Sequence, residues 1–394
     1  RLPEKYLTDD AHKRRIAAAL GRLLEVLGLS RYAAICTSEQ TRAVLAAYED
    51  DDHVAGRAAM RSAMAASGVE PVDVAELAWG AVMGIEESAA YYTVADALEL
   101  AISAGEFTPG GRGWRRKQQT VVRQQLLRSR EHLDGASLLD RVLDERIDSW
   151  LGRHPGRRPE TMRPLLPRLR GPAALPDDLD QHVAPVRWLL QHADAGLALT
   201  QTHRLKPATV AAMADAFGWD DVFTVTRRRL EEDVPEVVTT RALAEAISVV
   251  RRRQLQLLAT PAGKALLDDP PGLWRRLCGA LISTQAYDAA VHELALALML
   301  QEPARPRSDL AAAIAGVMDG EHWRSSDGLA PDERHVSWAL VELHWRLEAM
   351  LLLARDPGRP RWQDSWQLNQ AGRAAAVEAL RARATRPRHS PFDV

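Results

Sequence analysis

Apolar residues recur at helical spacing through the first 150 positions. Ile16, Leu20, Leu23, Leu24 and Leu27 form one stripe, which predicts an amphipathic helix over 9–28 that stops at Gly28. Similar stripes predict helices over 38–48, 54–66, from Pro71 through Met83, and over 91–104, 118–130 and 137–150. No segment alternates with period two, so residues 1–152 are expected to form an all-α domain. Pro155, Pro159, Pro164, Pro167, Pro172, Pro176 and Pro185 then interrupt the pattern, and 153–185 is expected to be a Pro/Arg-rich linker without helix.

Beyond the linker the period changes repeatedly. Helices are expected over 186–192, 207–217 and 239–253, and over 263–281 in two pieces split by Asp268-Asp269-Pro270-Pro271-Gly272. A very apolar, core-type helix follows over 285–300, and another helix over 337–350. Two stretches about a hundred residues apart read alike. In each, a helix leads into a short β-like run and then into Ala-Gly-basic-Ala: Ala262-Gly263-Lys264-Ala265 and Ala371-Gly372-Arg373-Ala374. A third helix, a hairpin wing and a closing helix are the end of a winged-helix module. The expected fold is therefore mainly α: the N-terminal helical domain, then two tandem winged-helix-like modules with short β-hairpin wings, 186–284 and 285–394.

Composition narrows the class without naming a ligand. With 46% hydrophobic and 26% charged residues the chain is ordinary globular material. It has no apolar run long enough to span a membrane, and it is expected to be cytoplasmic. The start, Arg1-Leu2-Pro3-Glu4-Lys5, reads as trimmed or incomplete. Cys36 and Cys278 are expected to be buried free thiols in a reducing compartment, too few for a zinc cluster. Arginine greatly outnumbers lysine, yet the net charge is −2, so coding bias explains the excess before nucleic-acid affinity does. Charge is uneven: 30–107 carries four basic against thirteen acidic residues, and 108–170 carries fifteen against seven. Docking of these blocks on each other and a basic surface for an acidic partner both remain open.

In a DNA-reading module the third helix enters the major groove and the wing touches the backbone. The candidate DNA-binding residues are thus Arg251, Arg252 and Arg253 in the last turn of helix 239–253, Arg227, Arg228 and Arg229 nearby, and Arg359 and Arg361 at the second wing. The same arginines also suit a helix C-terminus and a wing edge, and Glu245 on the exposed face repels phosphate. In the second wing, Trp362, Asp364 and Trp366 share a strand face, available for stacking on bases or for packing on Trp338 and Trp345.

Catalytic signals are weak. There is no phosphate-binding glycine loop, nucleophile elbow or paired metal-binding histidine motif. Glu49-Asp50-Asp51-Asp52-His53 reads as an acidic cap for helix 54–66. Gly110-Gly111-Arg112-Gly113 reads as an exposed loop. No catalytic residue, metal ligand or cofactor is expected.

Residues 188–281 carry Leu199-Thr200, Leu205, Phe217-Gly218, Ala242-Leu243, Val249-Val250-Arg251, Leu266-Leu267-Asp268-Asp269-Pro270 and Leu273-Trp274-Arg275-Arg276. This pattern resembles an uncharacterised winged-helix-like family of high-GC bacteria, of the plasmid-borne or transposon-passenger type. Such proteins often carry glycine after Leu-Thr, where Thr202-His203 stand here. The resemblance implies a fold and no chemistry.

The first expectation is a non-enzymatic regulatory or DNA-associated protein acting on duplex DNA through its tandem modules. The second is a scaffold whose modules pack or dimerise with a protein partner or a second copy and bind no nucleic acid. The third is an enzyme with a polar cleft around Glu86, Glu87 and Tyr91.

Overall fold

The computed structural model describes residues 9–49, 52–154, 156–219, 230–302, 304–324, 328, 330–354 and 366–388. The protein is mainly helical, with one small three-stranded sheet among the described residues. It divides into two compact units, Arg1–Val142 with Pro387–Val394, and Leu143–Arg386.

The first unit contains α1 (Asp10–Val26), α2 (Ser30–Thr37), α3 (Glu39–Glu49), α4 (His53–Ser67), α5 (Ile85–Ser103) and α6 (Trp114–Leu127). The division falls inside α7 (Leu138–Gly152). Asp52 caps α4 by accepting from the Ala55 amide at 2.8 Å, as the acidic run predicts; Asp50 and Asp51 lie outside the described residues. α5 packs on α6, with Val94 and Leu98 buried on the one and Val122 and Leu126 on the other.

Two expectations fail in this unit. The helix expected from Pro71 does not form, and α2 takes its place in the tally. The backbone of Pro71–Met83 finds other partners instead. The Gly80 amide donates to Glu87 Oε1 at 2.8 Å, the Val82 amide to the Arg388 carbonyl at 3.1 Å, and the Trp79 amide to Asp73 Oδ1 at 2.9 Å. Those bonds satisfy backbone groups that a helix would otherwise satisfy. Cys36 is only partly covered, whereas Cys278 is fully buried and its thiol is pushed well up by burial.

After the rest of α7, the second unit continues with short helical turns where no helix is expected. α8 (Arg158–Met162) and α9 (Leu166–Leu169) place Pro159 and Pro167 in their first turns, where a missing N–H costs nothing. Met162, Leu165 and Leu169 are buried in the core, so the proline-rich stretch is packed structure from about 158 onward. Then follow α10 (Leu179–Asp194), β1 (Leu197–Ala198), α11 (Pro207–Phe217), α12 (Pro235–Ala246), β2 (Val250–Arg253), β3 (Gln256–Ala259), α13 (Pro261–Leu266) and α14 (Pro270–Gly279). The sheet order is β1-β3-β2, antiparallel, with Leu197 opposite Leu257 and Arg252 opposite Leu257 from the other side. The chain continues through α15 (Ala286–Gln301), α16 (Arg307–Met318), α17 (Glu333–Ala349) and α18 (Gln370–Ala384). Eleven of the sixteen residues of α15 are buried, which makes it the central helix, packed against α8, α16, α17 and α18.

The similarity of the two C-terminal stretches extends to individual hydrogen bonds. α12 ends with the Ser248 amide donating to the Glu245 carbonyl at 2.9 Å and the Val249 amide to Ala244 at 3.0 Å. α17 ends with Leu351 donating to Glu348 at 2.9 Å and Leu352 to Leu347 at 2.9 Å. Both are Schellman closures, and Ser248 (φ 58°) and Leu351 (φ 56°) occupy the left-handed position that glycine usually takes. Each repeat then returns to the same carbonyl: the Thr260 amide donates to Val249 at 2.9 Å, and the Asn369 amide to Leu352 at 3.1 Å. Thr260 and Asn369 cap α13 and α18 through the Gly263 and Gly372 amides. Isolated bridges Arg305 to Trp366 and Leu353 to Leu368 stand where the first repeat has its sheet. Residues 355–365, which include Arg359, Arg361, Trp362 and Asp364, lie outside the described residues, as do Arg227, Arg228 and Arg229.

Candidate functional site

Arg251, Arg252 and Arg253 are on β2, not in the last turn of a helix over 239–253. The helix stops at Ala246 because Ser248 turns left-handed and the β-branched pair Val249-Val250 starts a strand. β2 is an edge of the sheet, and all three arginines are exposed, with no ion pair to a described residue. A charged edge strand resists pairing with other chains. The same row of guanidinium groups also offers contacts to a polyanion.

The third helices of the two repeats, α12 and α17, pack against each other. On α12, Glu236, Val237, Thr240, Leu243 and Ala244 are buried. Arg241 is held by Glu231 Oε2 at 3.1 Å, by Glu245 Oε1 at 3.0 Å and by the His203 carbonyl at 2.9 Å. Glu231 also accepts from the Leu205 amide at 2.6 Å, which fixes the turn after β1. In that turn His203 (φ 61°) takes the left-handed conformation that favours glycine. Trp366 is buried and stacks on His344 of α17 at 5.1 Å, so this side chain packs inward, while Trp338 is 70% exposed.

Sequence reasoning missed a buried charge cluster around α15. Glu293 Oε1 accepts from Arg383 Nε at 2.8 Å and Oε2 from Arg158 Nη1 at 3.3 Å. Arg158 also pairs with Glu321, whose Oε2 accepts from Trp323 Nε1 at 2.8 Å. Burial pushes the Glu293 carboxyl up, and the Arg383 and Arg158 charges pull it back. The sole signal was an isolated His292-Glu293 pair inside an otherwise apolar helix. These groups tie α8, α15 and α18 together.

His292 is fully buried. Its Nδ1 accepts from the Ser283 amide at 3.1 Å and its Nε2–H donates to the Ala339 carbonyl at 3.0 Å, which fixes the neutral tautomer. Burial pushes its pKa down to about 4, with the Arg346 charge adding and Asp288 opposing. The unfolded chain therefore takes up this proton first, near pH 6.5. Stability is complete above that pH and falls as pH drops towards 4, by up to about 1.4 kcal/mol per pH unit. His154, also lowered to about 4 mainly by burial, acts in the same direction, and the raised Glu293 opposes both. Urea unfolding between pH 7 and 4.5 measures the slope. His292→Asn, which keeps one donor and one acceptor, flattens it; an unchanged slope would exclude His292 as the source.

Glu86, Glu87 and Tyr91, the residues of the enzyme expectation, lie in the first unit. Glu87 is fully buried and binds the Gly80 amide and Arg388 Nη2 at 3.2 Å, and Glu86 pairs with Arg141 at 2.9 Å. The Tyr91 hydroxyl is pushed up to about 12 by burial and by Glu70, so it stays protonated. In the second unit a cavity of about 430 Å³ is lined by Tyr287, Trp323, Asp319 and Asp332. Among the described residues no three His, Cys, Asp or Glu side chains are grouped to hold a metal ion, and no helix is long and apolar enough to cross a membrane.

Neither a curated protein nor a solved structure matches the chain. One family model does, over a segment that runs from within α10 to the first turn of α14 and includes the whole sheet. Residues 183–272 are similar to the Y4jL N-terminal domain family.

Proposed function

We propose that the second unit is a fused pair of winged-helix-like modules acting as a non-enzymatic protein-interaction scaffold. The first repeat follows the order helix, strand, helix, helix, strand, strand, helix; in the second, the isolated bridges at Arg305, Leu353, Trp366 and Leu368 stand in place of the strands. The observation that carries the scaffold reading is the packing of α12 on α17. The helix that would enter a major groove in a DNA reader is spent on joining the two modules, and its only arginine is held by two glutamates. Only Ala242, Glu245 and Ala246 of α12 are exposed, a face with no positive charge.

A second reading keeps duplex DNA as the partner, through backbone contacts from the exposed arginines of β2. Anisotropy with a labelled mixed-sequence duplex separates the two. On the scaffold reading the purified protein gives no salt-dependent signal at low salt, and Arg251→Glu/Arg252→Glu changes neither folding nor oligomeric state. Binding that falls with salt at a log–log slope near −3, about −0.9 per phosphate contact, and that disappears in the double variant would replace it with the second reading.

A further inference from the structure

α9 packs on the first turns of α18, and beside this contact lies a cavity of about 300 Å³. Arg168, Arg373 and Gln370 form its polar side, and Leu175, Pro176 and Val377 line the rest. Two guanidinium groups thus face one space, and neither has a carboxylate of the described residues in ion-pair reach. Arg373 donates one Nη2 bond to the Leu300 carbonyl at 3.0 Å, which anchors it and leaves its other donors available. Other arginines of this unit that are fixed between elements are matched by acids, as Arg158 is by Glu321 and Arg241 by Glu231. Burial and the Arg373 charge both push the Arg168 guanidinium below its ordinary value. Two unmatched like charges beside an apolar wall repel until an anion sits between them.

We infer that this cavity binds a small organic phosphate, its phosphate held between Arg168 and Arg373 and its apolar body against Leu175, Pro176 and Val377. A phosphate monoester carries close to two negative charges at pH 7, enough to neutralise both guanidinium groups, and its three oxygens accept from both forks at once. A carboxylate neutralises one. The volume is at the lower end of small-molecule sites, which suits a phosphate bearing a single ring or short chain.

The test is calorimetric titration of the whole protein at low salt with phenyl phosphate, inorganic phosphate and benzoate as probes. Phenyl phosphate is expected to bind at one site, more tightly than either inorganic phosphate or benzoate. Arg168→Ala is expected to weaken it at least about tenfold, the loss of one charge-assisted hydrogen-bond partner, and Arg168→Glu to abolish it. Arg168 is exposed and bonds no described residue, so both variants should keep the unliganded melting temperature. The inference is overturned if phenyl phosphate shows no saturable binding at millimolar concentration, if Arg168→Glu binds it as well as the parent, or if benzoate matches it.

Discussion

Gly372→Ala lowers the stability of the protein by at least about 2 kcal/mol, although alanine is the better helix former by roughly 1 kcal/mol. A Cβ at Gly372 would lie 2.1 Å from the Leu352 carbonyl oxygen, and one at Gly263 would lie 2.2 Å from that of Val249. Those oxygens already accept from the Asn369 and Thr260 amides, so a retreat breaks the bond that closes each repeat. Gly263→Ala is expected to behave the same way. Gly316 in α16 meets nothing within 4 Å, and Gly316→Ala should stabilise by about 0.5–1 kcal/mol. Urea midpoints of the three variants decide the matter by sign: stabilisation at Gly263 or Gly372 would show that the closures are not close-packed.

Glu293→Ala is expected to cost about 3–5 kcal/mol at pH 7, the range for breaking one partner out of a buried ion pair. Its carboxylate is the shared acceptor for Arg383 and Arg158, and Arg158 is itself almost fully buried. Without it Arg158 keeps Glu321 but retains uncompensated positive charge beside Arg383. Arg158→Ala should be comparably harmful, because it strands Glu293 and Glu321 together. The double variant should then cost clearly less than the sum, since each single change leaves the other's charge unmatched. Chemical denaturation of the three variants gives the coupling; additive losses, or a Glu293→Ala cost under about 1 kcal/mol, would mean that the cluster is solvated.

Much of the secondary structure was legible because helices announce themselves by period and caps. α1, α4, α5, α6, α11 and α15 lie close to their apolar stripes, and the paired Ala-Gly-basic-Ala segments did mark equivalent positions. The errors fall where usual punctuation is missing. Ser248 and Leu351 do the work of a glycine at the helix end, so the first repeat reads as helix through Arg253 when β2 has already begun. The prolines of 158–169 read as breakers, yet at first-turn positions they start helices. The candidate arginines of β2 were visible as residues, but not their place on a sheet edge.

The sequence by itself determined the helical character, the lack of any membrane-crossing stretch and the internal repeat, because these depend on local spacing. Three further features depended on the tertiary structure. It turned α12 and α17 towards each other, gathered Glu293 with Arg158 and Arg383, and left Arg168 and Arg373 in one cavity with no acid among the described residues to match them. The pairs Glu293 with Arg158 and Arg168 with Arg373 join residues more than a hundred positions apart. Burial and the balance of charge within each cluster follow from what the fold brings near, which no local period encodes.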